Sequence, residues 1–421
     1  MTKVNQFRLK NNLPVIFIHL PQVPSAAIGF MTKVGERDGG MAKAGISHLL
    51  EHLLFDGTEK FPDRTDLSIA LDEIGAEFNG ETSEENTYYY LKCEPGSFSR
   101  GMFILGQMVT RSLLKEEELA KEKLVITQEL NMREDDPMIK TLDYLQETIF
   151  PDHPLGCSRE AALKAINGFT RKDLLDHWEN NYRSQSSVLV ICGDKKKLGK
   201  IKDLAEENFG SLRSGVREKL MPVSRETAGR VKIIERKMSQ ANIGLGGRSF
   251  PLTDSRVYAG RLLDIIFGHS FSSRLFMEIR ERRKLAYAVF SGIDFYQDSG
   301  VYSVYAGVDR KRLPEALTAI LAEMKKVGGK TADGISDREL AKAKSYLRGK
   351  TLVQMDDPSA QAAFFAKRFL FDNEVVGPEE ILKRYASVTK DQVVEIGRDL
   401  FKKEKLNVVV MGEGIKEKEV I

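Results

Sequence analysis

The chain has 421 residues, 42% hydrophobic and 30% charged, which is typical of a globular protein rather than a disordered or membrane-spanning one. Its 64 basic and 61 acidic residues leave a net charge of +3, which argues against nucleic acid or an anionic membrane as the main partner. This length exceeds what one hydrophobic core usually supports, so we expect two or more domains.

Cysteine usage and the N-terminus indicate the compartment. The three cysteines are widely spaced and form no CxxC pair, so we expect neither a disulfide framework nor a thiolate zinc site. The first twenty residues show strand-like alternation and lack the pattern of a signal or transit peptide. No apolar run reaches membrane-spanning length. These features predict a cytoplasmic protein without a membrane partner.

The first half of the chain begins with two predicted strands, LPVIFIHL and SAAIGFMTKVG. A predicted helix containing GISHLLEHLLF, residues 45–55, follows, and then the strand NTYYYLKC. Long amphipathic helices come next, one of them ended by DDP, and the strand SVLVICG closes this half. Because strands and helices do not alternate strictly, we predict an α+β fold, with a mostly antiparallel sheet and helices packed on one face.

The second half of the chain repeats the first. The stretch ELAKEKLVITQELNMREDDP, residues 118–137, resembles ELAKAKSYLRGKTLVQMDDP, residues 339–358, at an offset of 221. Matches upstream of these stretches have an offset of 215. We therefore predict two homologous domains from an internal duplication, residues 1–212 and 231–421. The Gly-, Pro- and charge-rich residues 213–230 are the predicted linker.

Three polar residues, His48, Glu51 and His52, interrupt the apolar pattern of the helix at residues 45–55. The upstream offset places apolar residues at these positions of the second copy: Leu263, Ile266 and Phe267. A buried helix at this place in the fold therefore needs only hydrophobic residues at these three positions. Burying two imidazoles and a carboxylate is unfavourable unless a partner such as a metal ion satisfies them.

The spacing of these residues predicts zinc chemistry. Positions i, i+3 and i+4 place His48, Glu51 and His52 on one helical face. Two imidazoles four residues apart can bind one Zn²⁺, and Glu51 can then act as general base toward a zinc-bound water. A catalytic zinc also needs a third protein ligand, for which Asp or Glu is the natural choice, and one open position. The alternative is a surface helix with coincidental histidines.

Four stretches carry a resemblance to a known family: GISHLLEHLLFDGT, GAEFNGETSEENTYYYL, EKLVITQELNMREDDP and SSRLFMEIRERRKLAYAV. Their order and the HxxEH motif resemble the pitrilysin/insulinase family of inverzincin zinc peptidases. The chain is similar to the short bacterial members and to the β subunit of mitochondrial processing peptidase, over essentially its whole length. The resemblance implies a zinc-dependent endopeptidase that hydrolyses peptides or unfolded polypeptide segments.

The resemblance also implies the remaining metal-site residues. The family's third zinc ligand falls on Glu129, which completes a site for one Zn²⁺ per chain. At the offset of 221 this glutamate becomes Lys350, a change that loss of the metal would permit. Glu122 matches an acidic residue near the family's ligand and would orient His52 or the bound water. The alternative for Glu122 is a solvated charge.

Two further groups of residues match the family's substrate site. Asn79, Gly80 and Glu81 lie in AEFNGETS, which matches an edge strand that pairs with substrate. A plain hairpin turn at Asn79-Gly80 is the alternative. Arg280 and Tyr287 match a family pair in which Tyr would donate to the oxyanion and Arg would hold substrate carbonyls. An Arg in a basic cluster and a packed Tyr are the alternatives for this pair.

The resemblance implies a clamshell chamber, of which one chain of this length supplies half. We therefore expect a dimer, with a homodimer favoured and a heterodimer left open. Arg280 and Tyr287 would act either in their own chain or on the zinc site of a partner chain. Two rival functions remain: a non-catalytic or partner-dependent structural subunit of a processing complex, and a zinc enzyme that acts on a different bond.

Overall fold

The computed structural model describes residues 3–224, 228–329 and 334–420. Its strands, in chain order, are β1 Lys3–Arg8, β2 Pro14–His19, β3 Ala26–Thr32, β4 Glu77–Thr82, β5 Thr87–Cys93, β6 Ser187–Gly193, β7 Val231–Glu235, β8 Gln240–Ser249, β9 Ala286–Phe295, β10 Gly300–Asp309 and β11 Asn407–Gly412. They form two sheets, and each sheet belongs to a different half of the sequence.

Helices connect and cover these strands. In chain order they are α1 Ile46–Leu53, α2 Arg64–Asp72, α3 Phe98–Arg111, α4 Glu116–Asp135, α5 Pro137–Ile149, α6 Arg159–Gly168, α7 Arg171–Asn181, α8 Lys195–Leu198, α9 Ile201–Phe209, α10 Val257–Asp264, α11 Leu313–Gly328, α12 Asp337–Gln354, α13 Pro358–Lys367, α14 Pro378–Ser387 and α15 Lys390–Leu400. Three π-helical turns are Ile265–His269, Phe276–Arg282 and Arg368–Asp372. Within the described ranges, no helix is long and apolar enough to cross a bilayer.

The two sheets share one topology. The strand order is β1-β2-β6-β3-β5-β4 in the first sheet and β7-β11-β8-β10-β9 in the second. Only the pairs β2–β6 and β7–β11 are parallel, and the other neighbouring strands are antiparallel. Apart from β1, the second sheet therefore repeats the first strand by strand. The predicted α+β fold from an internal duplication is confirmed.

The N-terminal caps of two helices in the first half are repeated in the second half. Thr170 and Asp173 form a capping box at the start of α7, and Thr389 and Gln392 form one at the start of α15. Asp136 and Asp357, the last acidic residues of the two DDP motifs, cap α5 and α13 ahead of a proline at the first helical position. The DDP sequence therefore ends one helix and starts the next in each half.

The chain folds into two compact units that exchange one segment each. Unit 1 consists of Met1–Glu129, Arg159–Met221 and Thr351–Pro378, and unit 2 of Leu130–Ser158, Pro222–Lys350 and Glu379–Ile421. Each unit thus follows one sequence repeat, with a helical segment taken from the other repeat. No helix or strand lies in the described part of the predicted linker at 213–230, of which residues 225–227 are outside the described ranges.

Helices cover both faces of the sheet in unit 1. On one face, Phe30 of β3 stacks on Phe209 of α9, with ring centroids 6.0 Å apart. On the other face, the exchanged segment contributes Phe365 of α13 to a buried cluster with alternate residues of the sheet such as Ile16 and Val188. The sequence predicted helices on one face, and the helix on the second face comes from the exchanged segment.

Unit 2 is built in the same way. Alternate residues of its sheet, including Ile243 and Val410, pack in a buried cluster with residues of α10, α11 and α15. The other face packs on α5, where Leu145 and Ile149 join Val409 in a second cluster. Duplication of the sequence has therefore preserved the layers as well as the strand order.

Candidate metal centre

Helix α1 presents the three polar residues that the sequence singled out. Gly45 precedes the helix in the left-handed conformation, with φ of 81°, which a residue with a side chain rarely adopts. The apolar residues of α1 are buried: Ile46, Leu49, Leu50 and Leu53. His48 and His52 lie on the remaining side of the helix and keep 30% and 15% of their side chains exposed. This side faces α4, which carries Glu122 and Glu129.

The side chains of His48, His52 and Glu129 converge. One ligand atom from each lies within 4.8 Å of the other two, and no other such group of three is found among the described residues. Glu129 Oε2 is 3.6 Å from His48 Nε2 and 3.8 Å from His52 Nε2. The two imidazole rings are edge to face, with centroids 4.9 Å apart. Residues that are up to 81 positions apart in the chain thus form one candidate metal site.

The arrangement fits a zinc ion. Ligand atoms at tetrahedral zinc distances are separated by about 3.4 Å. The separations of Glu129 Oε2 from the two histidine Nε2 atoms, 3.6 and 3.8 Å, are close to this value. Two imidazoles and one carboxylate are also a donor set of catalytic zinc sites, which leave the fourth position open. Glu129 is 37% exposed, so the centre is reachable from solvent.

Two carboxylates contact the outer nitrogens of the histidines. Glu122 Oε2 lies 2.7 Å from His52 Nδ1, and Glu36 Oε1 lies 3.8 Å from His48 Nδ1. Because a carboxylate accepts the Nδ1 proton, His52 is fixed in the tautomer whose Nε2 is free to bind a metal. The structure therefore places Glu122 beside His52, and its role in orienting a zinc ligand stays a prediction. It buries Glu122 almost completely, which excludes the solvated alternative.

The electrostatics of the centre follow from this packing. Burial alone would lower the pKa of the His52 imidazole, but the hydrogen bond with Glu122 and the nearby carboxylates of Glu51 and Glu129 together outweigh it, so the pKa is raised. Burial would raise the pKa of the Glu122 carboxyl, but the hydrogen bonds and positive charges of His52 and Arg64 together lower it. For Glu51, burial dominates and raises the pKa, against the effect of a hydrogen bond from Thr82. A raised pKa suits a carboxylate that must accept a proton near neutral pH.

Glu51 belongs to helix α1, and its side chain contacts strand β4. Its side chain is buried, and Thr82 of β4 donates its hydroxyl proton to Glu51 Oε2 at 2.9 Å. Gly80, two residues earlier on the same strand, leaves space for the other oxygen: a Cβ atom at Gly80 would lie 2.6 Å from Glu51 Oε1. The edge strand therefore sets the position of both oxygens of Glu51.

Strand β4 also places the three predicted substrate residues. Asn79, Gly80 and Glu81 lie inside β4, at the edge of the first sheet, with Asn79 and Glu81 exposed. Asn79 pairs with Tyr90 and Gly80 with Tyr89, and the turn follows later, where Ser83 N donates to Asn86 O. The alternative of a turn at Asn79-Gly80 is wrong, because both residues are paired within the strand.

Arg280 and Tyr287 lie in unit 2. Arg280 is in the π-helical turn Phe276–Arg282, and Tyr287 is the second residue of β9 with 78% of its surface exposed. The Arg280 guanidinium lies 5.5 Å from the Tyr287 ring centroid and 4.9 Å from that of Phe276. A packed Tyr is therefore excluded, and the catalytic role of the pair stays a prediction.

Three residues that contact the centre were not predicted from the sequence: Glu36, Arg64 and Thr82. Thr82 shares the inner face of β4 with Gly80, so the two-residue period of a strand could have found it. Glu36 and Arg64 belong to no recognisable sequence pattern. Arg64 Nη1 donates to Glu122 Oε1 at 3.0 Å, and only the folded chain brings these two residues together.

The structure thus combines a duplicated α+β fold with a His-His-Glu cluster in its first unit that is compatible with a metal ion. Comparison with known families identifies the class of protein. The insulinase family, peptidase family M16, matches residues 14–162, and the family's C-terminal domain, described as the peptidase M16 inactive domain, matches residues 168–347. The chain belongs to the insulinase family of peptidases, which confirms the resemblance seen in the sequence.

Related proteins support this assignment over nearly the whole chain. An uncharacterized zinc protease of Rickettsia felis is 32% identical over 94% of this chain and 95% of its own length. An uncharacterized zinc protease of Streptomyces coelicolor is 33% identical over 94% of this chain and 87% of its own. A crystal structure described as a peptidase M16 inactive domain, from Pseudomonas fluorescens, covers 98% of both chains with a TM-score of 0.89. Its identity of 18% shows the shared fold alone.

Proposed function

We propose that this protein is a zinc-dependent endopeptidase that hydrolyses peptides or unfolded polypeptide segments in the cytoplasm. The observation that carries the proposal is the convergence of His48, His52 and Glu129 beside a buried glutamate, Glu51, at the edge of a sheet. The names of the related zinc proteases support it. In the second unit the positions that correspond to His48, Glu51 and His52 are apolar and buried, and a lysine corresponds to Glu129. The proposed function therefore needs only the first-unit centre.

The residues of the centre divide the work of hydrolysis. The chemistry that a zinc ion supplies at such a site is Lewis acidity, which makes a water molecule more acidic and polarises the scissile carbonyl. Glu51 accepts a proton from the attacking water at Oε1, the oxygen beside Gly80, and passes it to the amine nitrogen as the peptide bond breaks. Glu122 keeps His52 Nε2 directed at the metal position.

The edge strand supplies a binding site for an extended substrate. The outer edge of β4 has no strand partner among the described residues, so its backbone can pair with a peptide. Asn79, Gly80 and Glu81 would line this pairing, with Asn79 bonding the substrate backbone. Pairing through the backbone selects for extended chain rather than for particular side chains. Folded proteins would therefore be poor substrates.

Thr82 connects this strand to the chemistry, and replacing it by valine should slow turnover. A hydrogen bond to a charged group is worth about 1.5–3 kcal/mol, so Thr82→Val should lower kcat about 10- to 100-fold. KM should change little, because the backbone edge that binds substrate is unaffected. Steady-state kinetics on an unstructured peptide measure both constants. Thr82→Ser keeps the hydroxyl and should restore most of kcat; equal losses in both variants would show that the hydroxyl is not what matters.

Arg280 and Tyr287 would complete the active centre as proposed donors to substrate carbonyls and the oxyanion. We propose further that the active form is a homodimer enclosing a clamshell chamber, in which these residues serve the zinc site of the partner. Mixing Glu51→Gln and Tyr287→Phe variants tests this arrangement. Half of randomly mixed dimers are heterodimers, each with one intact site, so about a quarter of wild-type activity should return.

The outcome of mixing separates the two arrangements of the active centre. Each variant alone should be nearly inactive under the same conditions. If activity after mixing is only the average of the two separate variants, Tyr287 acts within its own chain or has no catalytic role. Analytical ultracentrifugation of the same mixture reports whether the chains associate.

Digestion of defined substrates tests the proposed activity. We expect the zinc-loaded protein to cut a mixture of unstructured peptides internally and to leave a disulfide-locked globular protein intact, as read by mass spectrometry. Protein that holds zinc and produces no fragments from any peptide would favour the non-catalytic subunit. Fragments released only from the ends of peptides would contradict an endopeptidase.

A further inference from the structure

Arg64 lies behind the metal centre, separated from the zinc ligands by one residue. Its Nη1 atom donates to Glu122 Oε1 at 3.0 Å and lies 3.4 Å from Asp56 Oδ1. Glu122 uses its other oxygen, Oε2, to accept from His52 Nδ1 at 2.7 Å. A continuous chain of contacts therefore runs from Arg64 through Glu122 to the histidine whose Nε2 faces the metal position.

Local helix energetics do not explain an arginine at this position. Arg64 is the first residue of α2, directly after Asp63, whose side chain caps the helix by accepting from Asp66 N. A cation in the first turn of a helix is opposed by the helix macrodipole, which favours negative charge there. The contacts of the guanidinium are made with residues outside its own helix.

The contacts of Arg64 are with two buried carboxylates, Asp56 and Glu122. Asp56 is 4% exposed and Glu122 is 3% exposed, so both carboxylates are removed from water. Neither oxygen of Asp56 accepts a hydrogen bond among the described residues. Two buried carboxylates beside one guanidinium form a favourable cluster, whereas removal of the cation leaves buried charges uncompensated. Arg64 itself is 57% exposed, so it reaches this cluster from the surface.

We propose that Arg64 is a positioning residue for zinc binding, holding the Glu122 carboxylate so that Glu122 in turn holds His52. A carboxylate can rotate about its terminal bond, and one hydrogen bond to His52 leaves that rotation only partly restricted. The bond from Arg64 to Oε1 fixes the second oxygen and with it the plane of the carboxylate. The orientation of His52 Nε2 then depends on Arg64 although Arg64 never approaches the metal.

The proposal rests on the proposed zinc site and predicts weaker metal binding in Arg64→Gln. Replacing a partner behind a metal ligand lowers metal affinity about 10- to 100-fold, and we expect about tenfold here because Arg64 is one contact further out. Zinc affinity is measured by competition with a chromophoric chelator, which requires no peptidase activity. Arg111→Gln is the matched control, because Arg111 is similarly exposed at 45% and pairs with Glu59, away from the ligands. Its zinc affinity should equal that of wild type.

A double-mutant cycle shows whether Arg64 acts through Glu122. Glu122→Gln should weaken zinc binding about 30-fold, and adding Arg64→Gln should cost no more than about a further twofold. Arg64→Lys keeps a cation but not the planar group, so its affinity should lie between those of wild type and Arg64→Gln. Equal factors for Arg64→Gln in the presence and absence of Glu122 would overturn the proposal.

A separate measurement checks that each variant is folded. Circular dichroism of each metal-free variant identifies a temperature at which all are folded, and affinities are compared there. If Arg64→Gln does not fold, Asp56→Asn combined with Arg64→Gln removes one buried charge together with its cation, and this variant should still bind zinc about tenfold more weakly. Wild-type affinity in that double variant would contradict the role of Arg64.

The failure of this inference is distinguishable from failure of the zinc site itself. His48→Ala with His52→Ala removes two proposed ligands and should abolish tight binding. If wild type binds no more tightly than this variant, the zinc site is wrong and the inference falls with it. If wild type binds tightly and Arg64→Gln binds equally tightly, the zinc site stands and only the role of Arg64 is wrong.

Discussion

Glu51→Gln is expected to lower kcat at least about 10³-fold while the protein retains its zinc, because general acid–base catalysis typically contributes 10²- to 10⁴-fold and Glu51 serves both directions of proton transfer. Glutamine has the same shape and can still accept from Thr82, but it cannot take a proton from water. Turnover of an unstructured fluorogenic peptide measures kcat, and metal analysis of the same sample gives the zinc content.

A matched control shows whether the loss of activity is specific to the Glu51 carboxylate or follows from removing any glutamate carboxylate. Glu73→Gln changes an exposed glutamate just after α2 that contacts none of the proposed ligands, and it should have wild-type kcat. Wild-type turnover by zinc-loaded Glu51→Gln would show that another group accepts the proton. Loss of zinc in Glu51→Gln would instead mean that this residue helps to hold the metal.

The second large effect is expected at the third ligand. Glu129→Gln should weaken zinc binding more than about 100-fold, because it removes the only anionic residue among the three proposed ligands. Loss of a residue that only contacts a ligand typically costs less, about 10- to 100-fold. Activity at limiting zinc should fall in parallel. Competition with a chelator measures the affinity, and excess zinc should restore part of the activity if the other ligands remain in place.

The internal repeat provides the control for Glu129. Lys350 occupies the corresponding position in the second unit, and Lys350→Gln should leave zinc affinity unchanged. Tight zinc binding by Glu129→Gln would mean that a different residue completes the site. Among the described residues, His48, His52 and Glu129 form the one group of three that could do so by distance, which makes such a result a clear contradiction.

The fold was predictable to the extent that its signals are periodic or repeated. The apolar run LPVIFIHL predicted a strand, the DDP motifs predicted helix ends, and the offset of 221 residues linked the two halves. The exchange of α5 and α13 between the compact units was not predicted, because a helix that follows a long helix has the same amphipathic pattern whichever sheet it covers. Only tertiary packing decides between the two sheets.

The metal site was predictable where residues share one element. His48, Glu51 and His52 lie on one helical face, and the apolar residues at their counterparts in the second unit show that they are not needed for packing. Glu129 required the family resemblance, because it lies on another helix. Arg64 carried no signal, since its contact with Glu122 joins residues 58 positions apart. For Thr82 the strand period indicated only the shared face with Gly80, and not the hydrogen bond with Glu51, 31 positions away. Such long-range hydrogen bonds leave no period in the sequence.

The most direct test of the account is a zinc titration of metal-free protein in which bound zinc and peptide cleavage are measured on the same samples. Because one centre in the first unit is proposed to hold the metal, cleavage should be absent without zinc. It should rise in proportion to bound zinc and reach its maximum at one zinc per chain. Cleavage by the metal-free protein, or no cleavage at one zinc per chain, would contradict the proposed zinc peptidase.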